Sequence, residues 1–199
     1  MTKKEIDYYP EIANRFKSYL KSFLGDNFQI AFSYNKSLRS LITDIETELN
    51  CRTCFHGEYV PNLLLDILMG VKNIPHDRIS LVLLEVKYSL NLSLKDFSQL
   101  VGYLQVAKSI KVGILFLVSK SPGSSTLSNE LSDILNTGSL PLEWRVVLNE
   151  LGKDRDYAFK AGICYYQPGD GIDFIDPHHR RGFSSFDNLA DFIKEDLNR

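Results

Sequence analysis

Glu85, Val86 and Lys87 close the apolar run Ile79-Ser80-Leu81-Val82-Leu83-Leu84, setting a carboxylate and an ammonium on an otherwise greasy segment. Strand side chains alternate faces, so Glu85 and Lys87 are expected to point one way and Val86 the other. A second carboxylate, Asp66, follows Leu63-Leu64-Leu65 and precedes Ile67-Leu68-Met69-Gly70. The polar stretch from Val71 to Arg78 predicts a reversal of the chain between the two runs. Paired as a hairpin, the runs would bring Asp66 and Glu85 within reach of one divalent cation, with Lys87 beside it.

Mg2+ favours carboxylate, carbonyl and water oxygens and usually draws only one or two carboxylates from a protein. Bound there, it polarises a phosphoryl oxygen and supplies a more acidic water, while a neighbouring ammonium orients that water or offsets developing charge. Phosphodiester hydrolysis suits all three groups. Taken alone, an acid, a spacer and a lysine at a strand end are equally a solvent-exposed ion pair of little energetic weight. A strand apolar on both faces, however, reads as central and buried, where an ionised pair is costly unless it binds something.

Asp66 followed after a hairpin-length gap by Glu85-Val86-Lys87 resembles the Asp…Glu-x-Lys signature of the PD-(D/E)xK nuclease superfamily. The next predicted helix carries Gln99-Leu100-Val101-Gly102-Tyr103, similar to the Gln-x-x-x-Tyr motif of one subset of that superfamily. Positions four apart share a helix face, which agrees with a paired role for Gln99 and Tyr103. The resemblance spans about residues 28–120, roughly half of the chain. It implies a restriction-endonuclease-like α/β core, a central mixed β-sheet flanked by helices, with a C-terminal α+β elaboration over 121–199. It also implies that Asp66 and Glu85 hold Mg2+, for which Mn2+ substitutes, that Lys87 orients or activates the attacking water, and that Gln99 and Tyr103 steady the lysine and the DNA backbone.

Two positions stay open on the sequence. Pro61 is followed by Asn62, so the acid that usually follows this proline is drawn from Asp66, four residues on; Asn62 in that position would instead give a weak or degenerate metal site. The family commonly adds a glutamate from an upstream helix, for which Glu11, Glu46 and Glu48 are candidates and Glu46 is preferred as a third metal ligand. The function that follows is a Mg2+-dependent deoxyribonuclease, an endonuclease in the first instance. A catalytically silent DNA-binding or assembly subunit with the same fold is the alternative. A small-molecule α/β enzyme would need a phosphate-cradling glycine loop or a nucleophile elbow, and neither motif is present.

The elements that must position these groups follow from periodicity. Ile12, Phe16, Tyr19, Leu20 and Phe23 fall at helical spacing in a first helix over 9–24, with Pro10 in its first turn and Gly25 as its stop. Phe28–Tyr34 alternates like a strand, and Leu38–Leu49 reads as a helix. Leu94–Ser109 is the predicted Gln/Tyr helix and Val112–Val118 a buried strand, followed by a loop over 119–125 and a helix over Thr126–Leu135. Glu143–Asn149 and Ala158–Tyr166 look strand-forming, Pro168-Gly169-Asp170-Gly171 predicts a hairpin turn leading into 172–175, and Phe186–Leu197 predicts a closing helix. With no repeat or low-complexity linker, residues 1–199 are expected to form a single domain of α/β layers.

Composition sets the outer limits. At 199 residues, 44% hydrophobic and 24% charged, the chain is ample for one substantial core. A formal charge of −2 means that any DNA surface must come from local clustering, for which Lys108 with Lys111 and His178-His179-Arg180-Arg181 are the candidates. No stretch approaches the roughly 20 apolar residues of a membrane span, and no apolar segment of a secretory signal follows the charged start, so a cytoplasmic location is expected. Three cysteines agree with a reducing compartment. Cys51 and Cys54, with His56 nearby, fall short of the four ligands of a structural zinc site and read as ordinary thiols. Cutting both strands of DNA calls for two active sites, which makes a homodimer the expected partner arrangement.

Overall fold

The computed structural model describes residues 3–53, 55, 59–119, 126–137, 161–175 and 183–198. Their organising element is a six-stranded mixed sheet formed by β1 (Phe28–Ser37), β2 (Leu64–Asn73), β3 (Arg78–Ser89), β5 (Val112–Ser119), β7 (Ala161–Gln167) and β8 (Gly171–Phe174) in the order β1-β2-β3-β5-β7-β8. The β1–β2, β2–β3 and β7–β8 pairs are antiparallel, and the central β3–β5 and β5–β7 pairs are parallel. Two short strands, β4 (Asn91–Leu92) and β6 (Thr126–Leu127), pair with each other outside this sheet. The helices are α1 (Tyr9–Leu24), preceded by a 3-10 turn over Glu5–Tyr8, α2 (Leu38–Leu49), α3 (Leu94–Val106), α4 (Asn129–Thr137) and α5 (Phe186–Asn198).

Each face of the sheet carries its own core. Val82, Leu84, Val86, Ile114 and Phe116 pack under Ile12, Phe16 and Leu20 of α1 and Leu189 and Ile193 of α5. On the other side Leu81, Leu83, Leu115 and Leu117 pack under Leu41 and Ile45 of α2, Leu100 and Leu104 of α3, and Leu131 and Leu135 of α4. β3 and β5 are thus covered on both sides, which explains why their sequences are continuously apolar rather than alternating. The described residues after 121 join the same layers, since β7 extends the central sheet beside β5 and α5 packs on α1.

Local chemistry sets the ends of these elements. Ser37 caps α2 by accepting from Ser40 N, and Asn50 ends it in the left-handed conformation at φ 45°. At the start of α3, Ser93 Oγ accepts from Asp96 N while Asp96 reaches back to Ser93 N, a reciprocal capping box. Several bounds differ from the sequence reading. The α3 helix stops at Val106, because Ala107 leaves helical geometry and a turn closed by Ile110 N on Ala107 O returns the chain to β5. Thr126 and Leu127 form β6 against β4, and the helix starts only at Asn129, after Ser128 Oγ accepts from Leu131 N. On α1 the buried stripe runs through Ile12, Ala13, Phe16 and Leu20, leaving Tyr19 and Phe23 on its shoulder, where their rings meet Phe186. The Glu143–Asn149 strand, the His178–Arg181 basic loop, Cys54 and His56 lie outside the described residues. Among the described residues no helix is long and apolar enough to cross a membrane.

Close approach of α2 to the sheet depends on Gly70. A Cβ at that position would stand 2.5 Å from Ile45 Cγ2 and 3.2 Å from Leu49 Cδ1. Ile45 is β-branched and fully buried, so this methyl has little freedom to move aside. Gly70→Val should therefore destabilise the protein by about 1–3 kcal/mol through overpacking, read as a lower midpoint in urea denaturation with an unchanged slope.

Candidate active site

The antiparallel ladder between β2 and β3 runs from Asn73↔Arg78 to Ile67↔Leu84 and then stops. The next rung would place Asp66 opposite Glu85. Instead, Asp66 Oδ2 accepts from Val86 N at 2.8 Å, so a side chain takes the place of a ladder partner. Leu65 packs in the α2/α3 core and Ile67 in the α1/α5 core, although they are two apart on one strand. Strict alternation therefore breaks at Asp66. Across from it in β1, Asn35 adopts φ 53° and is skipped by the β1–β2 register. The combined irregularity turns the Asp66 carboxylate toward β3.

Alternation does hold along β3. Leu84 and Val86 enter the α1/α5 core, and Lys87 Nζ lies 2.7 Å from Glu85 Oε1, with both side chains on the opposite face. Glu85 is 1% exposed, and its second oxygen, Oε2, is buried with no hydrogen-bond partner. Removal from water and then the nearby Asp66 charge raise the Glu85 carboxyl to about 7, despite the opposing effect of Lys87. Burial works against the charged form of Lys87, yet Glu85, Asp66 and Glu5 outweigh it and the ammonium is held above its ordinary range. At neutral pH Lys87 is therefore a proton donor to its neighbours.

A third acid enters from a place the sequence reading passed over. Glu5, in the 3-10 turn ahead of α1, accepts from Tyr88 N through Oε2 at 2.9 Å. Tyr9, the first residue of α1, donates its hydroxyl to Asp66 Oδ1 at 2.6 Å and also lies 3.2 Å from Glu5 Oε1. Burial and these two carboxylates push the Tyr9 hydroxyl well above its usual range, so it remains protonated and keeps Asp66 oriented. A four-residue turn has no periodicity to betray it. The available signal was Asp7, three residues after Lys4, whose carboxylate reaches back to Lys4 N at 2.7 Å and closes the turn.

The other expected residues are placed as follows. Gln99 Nε2 donates to Tyr103 Oη at 2.8 Å, one helical turn apart on α3. This helix rests on Gly113, where a Cβ would meet Leu100 at 2.8 Å, and Gly113 pairs with Leu83, two residues before Glu85. Asn62 is exposed ahead of β2, whereas Asp66 contacts the Glu85 strand directly. Glu46 does not join the cluster. Its Oε1 accepts from Thr53 N at 2.6 Å and Thr53 Oγ1 at 2.8 Å, and its neighbour Ile45 lies over Gly70, four strand residues or roughly 13 Å beyond Asp66. Glu11 pairs with Arg15, and Glu48 lies 4.0 Å from Lys17. Lys111 N bonds Leu81 O, so Lys108 and Lys111 flank the end of β3 remote from Glu85. Cys51 donates to Asp77 O at the β2–β3 turn.

Among the described residues no three His, Cys, Asp or Glu side chains stand close enough to enclose an ion together. The pair Asp66 and Glu85 nevertheless suits a hard divalent cation, which takes one or two carboxylates and completes its shell with water and substrate oxygens. Buried Glu85 Oε2 lacks a partner, and three acids share one ammonium. Compared with known proteins, the chain matches no family model, no curated protein and no solved structure.

The raised Glu85 carboxyl would make any cation binding at this pair pH-dependent. Above the ordinary glutamate value of 4.5 an unfolded chain has lost this proton while the folded one keeps it up to about 7. Folding stability from this group consequently falls as pH rises between those values, by roughly 3 kcal/mol in all. A cation held there would replace the proton, so Mg2+ would be expected to raise the melting temperature strongly at pH 8 and little at pH 5.5, with affinity falling about tenfold per pH unit below 7. Thermal denaturation across a Mg2+ titration at several pH values measures this, and Glu85→Gln should flatten the dependence.

Proposed function

We propose that this protein is a Mg2+-dependent deoxyribonuclease with a restriction-endonuclease-like core of the PD-(D/E)xK type. The observation that carries the reading is buried Glu85, with one oxygen on Lys87 and the other without a partner, beside an Asp66 already held by Val86 N and Tyr9. A buried unpartnered carboxylate oxygen costs stability unless a ligand uses it. Asp66 and Glu85 would hold the cation, whose contribution when bound is to polarise a phosphoryl oxygen and acidify a water.

The remaining work falls to the chain's own groups. Lys87, kept as an ammonium, hydrogen-bonds and orients a water or a phosphate oxygen and offsets negative charge that builds up on the phosphate. It does not accept the water's proton in that state. Tyr9 fixes the Asp66 rotamer, and Glu5 ties the 3-10 turn to Tyr88 N while adding negative potential. Gln99 and Tyr103, locked to each other, present an amide and a phenol from α3 toward the DNA backbone. Cutting both strands would recruit a second copy of the chain.

Incubation with linear, circular and branched DNA, with and without Mg2+, tests the activity. Glu85→Ala and Lys87→Ala should each lower cleavage by about a hundredfold to a thousandfold, in the range seen for loss of electrostatic catalytic groups, while circular dichroism stays unchanged. Glu46→Ala should leave the rate within a few-fold of the parent. Cleavage that persists in Glu85→Ala rejects the assignment.

A further inference from the structure

Pairing between β1 and β2 keeps one register on both sides of Asn35, from Tyr34↔Ile67 to Lys36↔Leu65, so neither strand carries an inserted residue there. Asn35 therefore faces Asp66, and the rung beyond Ile67↔Leu84 sets Asp66 against Glu85. The three residues fall on one row across the sheet. Both β1 and β2 turn over at this row. On β2, Leu65 and Ile67 enter opposite cores. On β1, Ser33 Oγ and Lys36 Nζ both donate to Asp44 Oδ2 of α2, at 2.5 and 2.6 Å, although residues three apart on a regular strand point to opposite faces.

Two paired strands exchange faces without changing register only if they turn over together. β1 does so through Asn35 at φ 53°, in the left-handed region, whereas Asp66 is not among the residues of positive φ. The conformation that L residues rarely adopt thus sits on β1, at an exposed position whose side chain fills no core. Asparagine is one of the few residues besides glycine that visit this region routinely. An extended residue at 35 would leave β1 unturned, with two outcomes for β2. Asp66 would return to regular alternation, on the α2/α3 face where Leu68 packs, and leave Val86 N and Tyr9. Otherwise the pairs Lys36↔Leu65 and Ser37↔Leu64 would break, and the start of β2, which has no ladder to β3, would lose its strand partner. Either way Asp66 is no longer held.

From this row we infer that Asn35 is a positioning residue of the cation pair. Its left-handed backbone turns β1 over in step with β2 and so holds the Asp66 carboxylate between β2 and β3, ready for a divalent ion. The inference rests on the nuclease reading for its use and on strand geometry alone for its structural half.

Amide hydrogen exchange by NMR on the full chain without metal reads the structural half, and calorimetric Mg2+ titration at about pH 8, above the Glu85 value, reads the other. Asn35→Gly keeps the left-handed conformation without a Cβ and should match the parent in both. Valine is β-branched and a poor fit to that region. Asn35→Val should therefore speed exchange at Val86 N and weaken Mg2+ binding, each by at least about tenfold, the population cost of forcing a left-handed residue. Amides of β5 should keep their protection. Asn35→Ala should fall between the two and decides the case if the valine variant does not fold. A lower melting temperature with Val86 exchange and Mg2+ affinity unchanged marks a purely structural role and overturns the inference, as does a glycine variant that behaves like valine. A parent chain that binds no Mg2+ removes the metal-dependent nuclease, and exchange at Val86 across the variants still decides whether Asn35 positions Asp66.

Discussion

The arrangement depends on a ladder that ends one rung early. Between Ile67↔Leu84 and the point where Asp66 would face Glu85, β2 and β3 stop exchanging backbone hydrogen bonds, and the Asp66 carboxylate satisfies Val86 N instead. Had pairing continued, Asp66 and Glu85 would lie as directly opposed like charges, a destabilising cross-strand pair. Opening the ladder lets one acid lie between the strands and the other stand on the α2/α3 face. The backbone donor is still satisfied, as a buried amide must be.

The surrounding charges follow from the same opening. Glu85 is buried because β3 is central, with helices over both faces, and its second oxygen has no hydrogen-bond partner. Lys87 offsets part of that cost at 2.7 Å, and Asp66 and Glu5 raise it again. One ammonium among three carboxylates leaves the cluster short of positive charge. The folded protein tolerates this by holding a proton on Glu85 up to about pH 7.

How far this was legible in the sequence varied with the kind of signal. The α/β layering, the hairpin between Asp66 and Glu85 and the bounds of α2 came from hydrophobic period and a polar turn, which are local, whereas the mixed sheet was implied by the resemblance. The direction of Glu85 and Lys87 followed from alternation on a regular strand. The orientation of Asp66 did not, since alternation fails at that residue, opposite a left-handed Asn35. Glu46 was preferred as the extra acid among three glutamates on predicted helices, yet a loop residue, Thr53, takes its carboxylate. Glu5 was passed over because a short turn has no period. Such assignments depend on which partner reaches a side chain across space, and composition carries no record of it.

The cluster draws on widely separated stretches of chain. Tyr88 N and Glu5 are 83 residues apart, Tyr9 and Asp66 are 57 apart, and Val86 and Asp66 are 20 apart. The first two contacts require α1 and its preceding turn to be docked on the sheet, and the third requires the β2–β3 hairpin. The first two cannot form in an isolated hairpin or an isolated helix, because Tyr9 and Glu5 enter from a different layer than β2 and β3. The hairpin alone, with its local contacts, would form early and bring Asp66 near Val86. Docking of α1 adds Tyr9 and Glu5, so the electrostatic environment of Glu85 is completed by long-range contacts rather than by the motif itself.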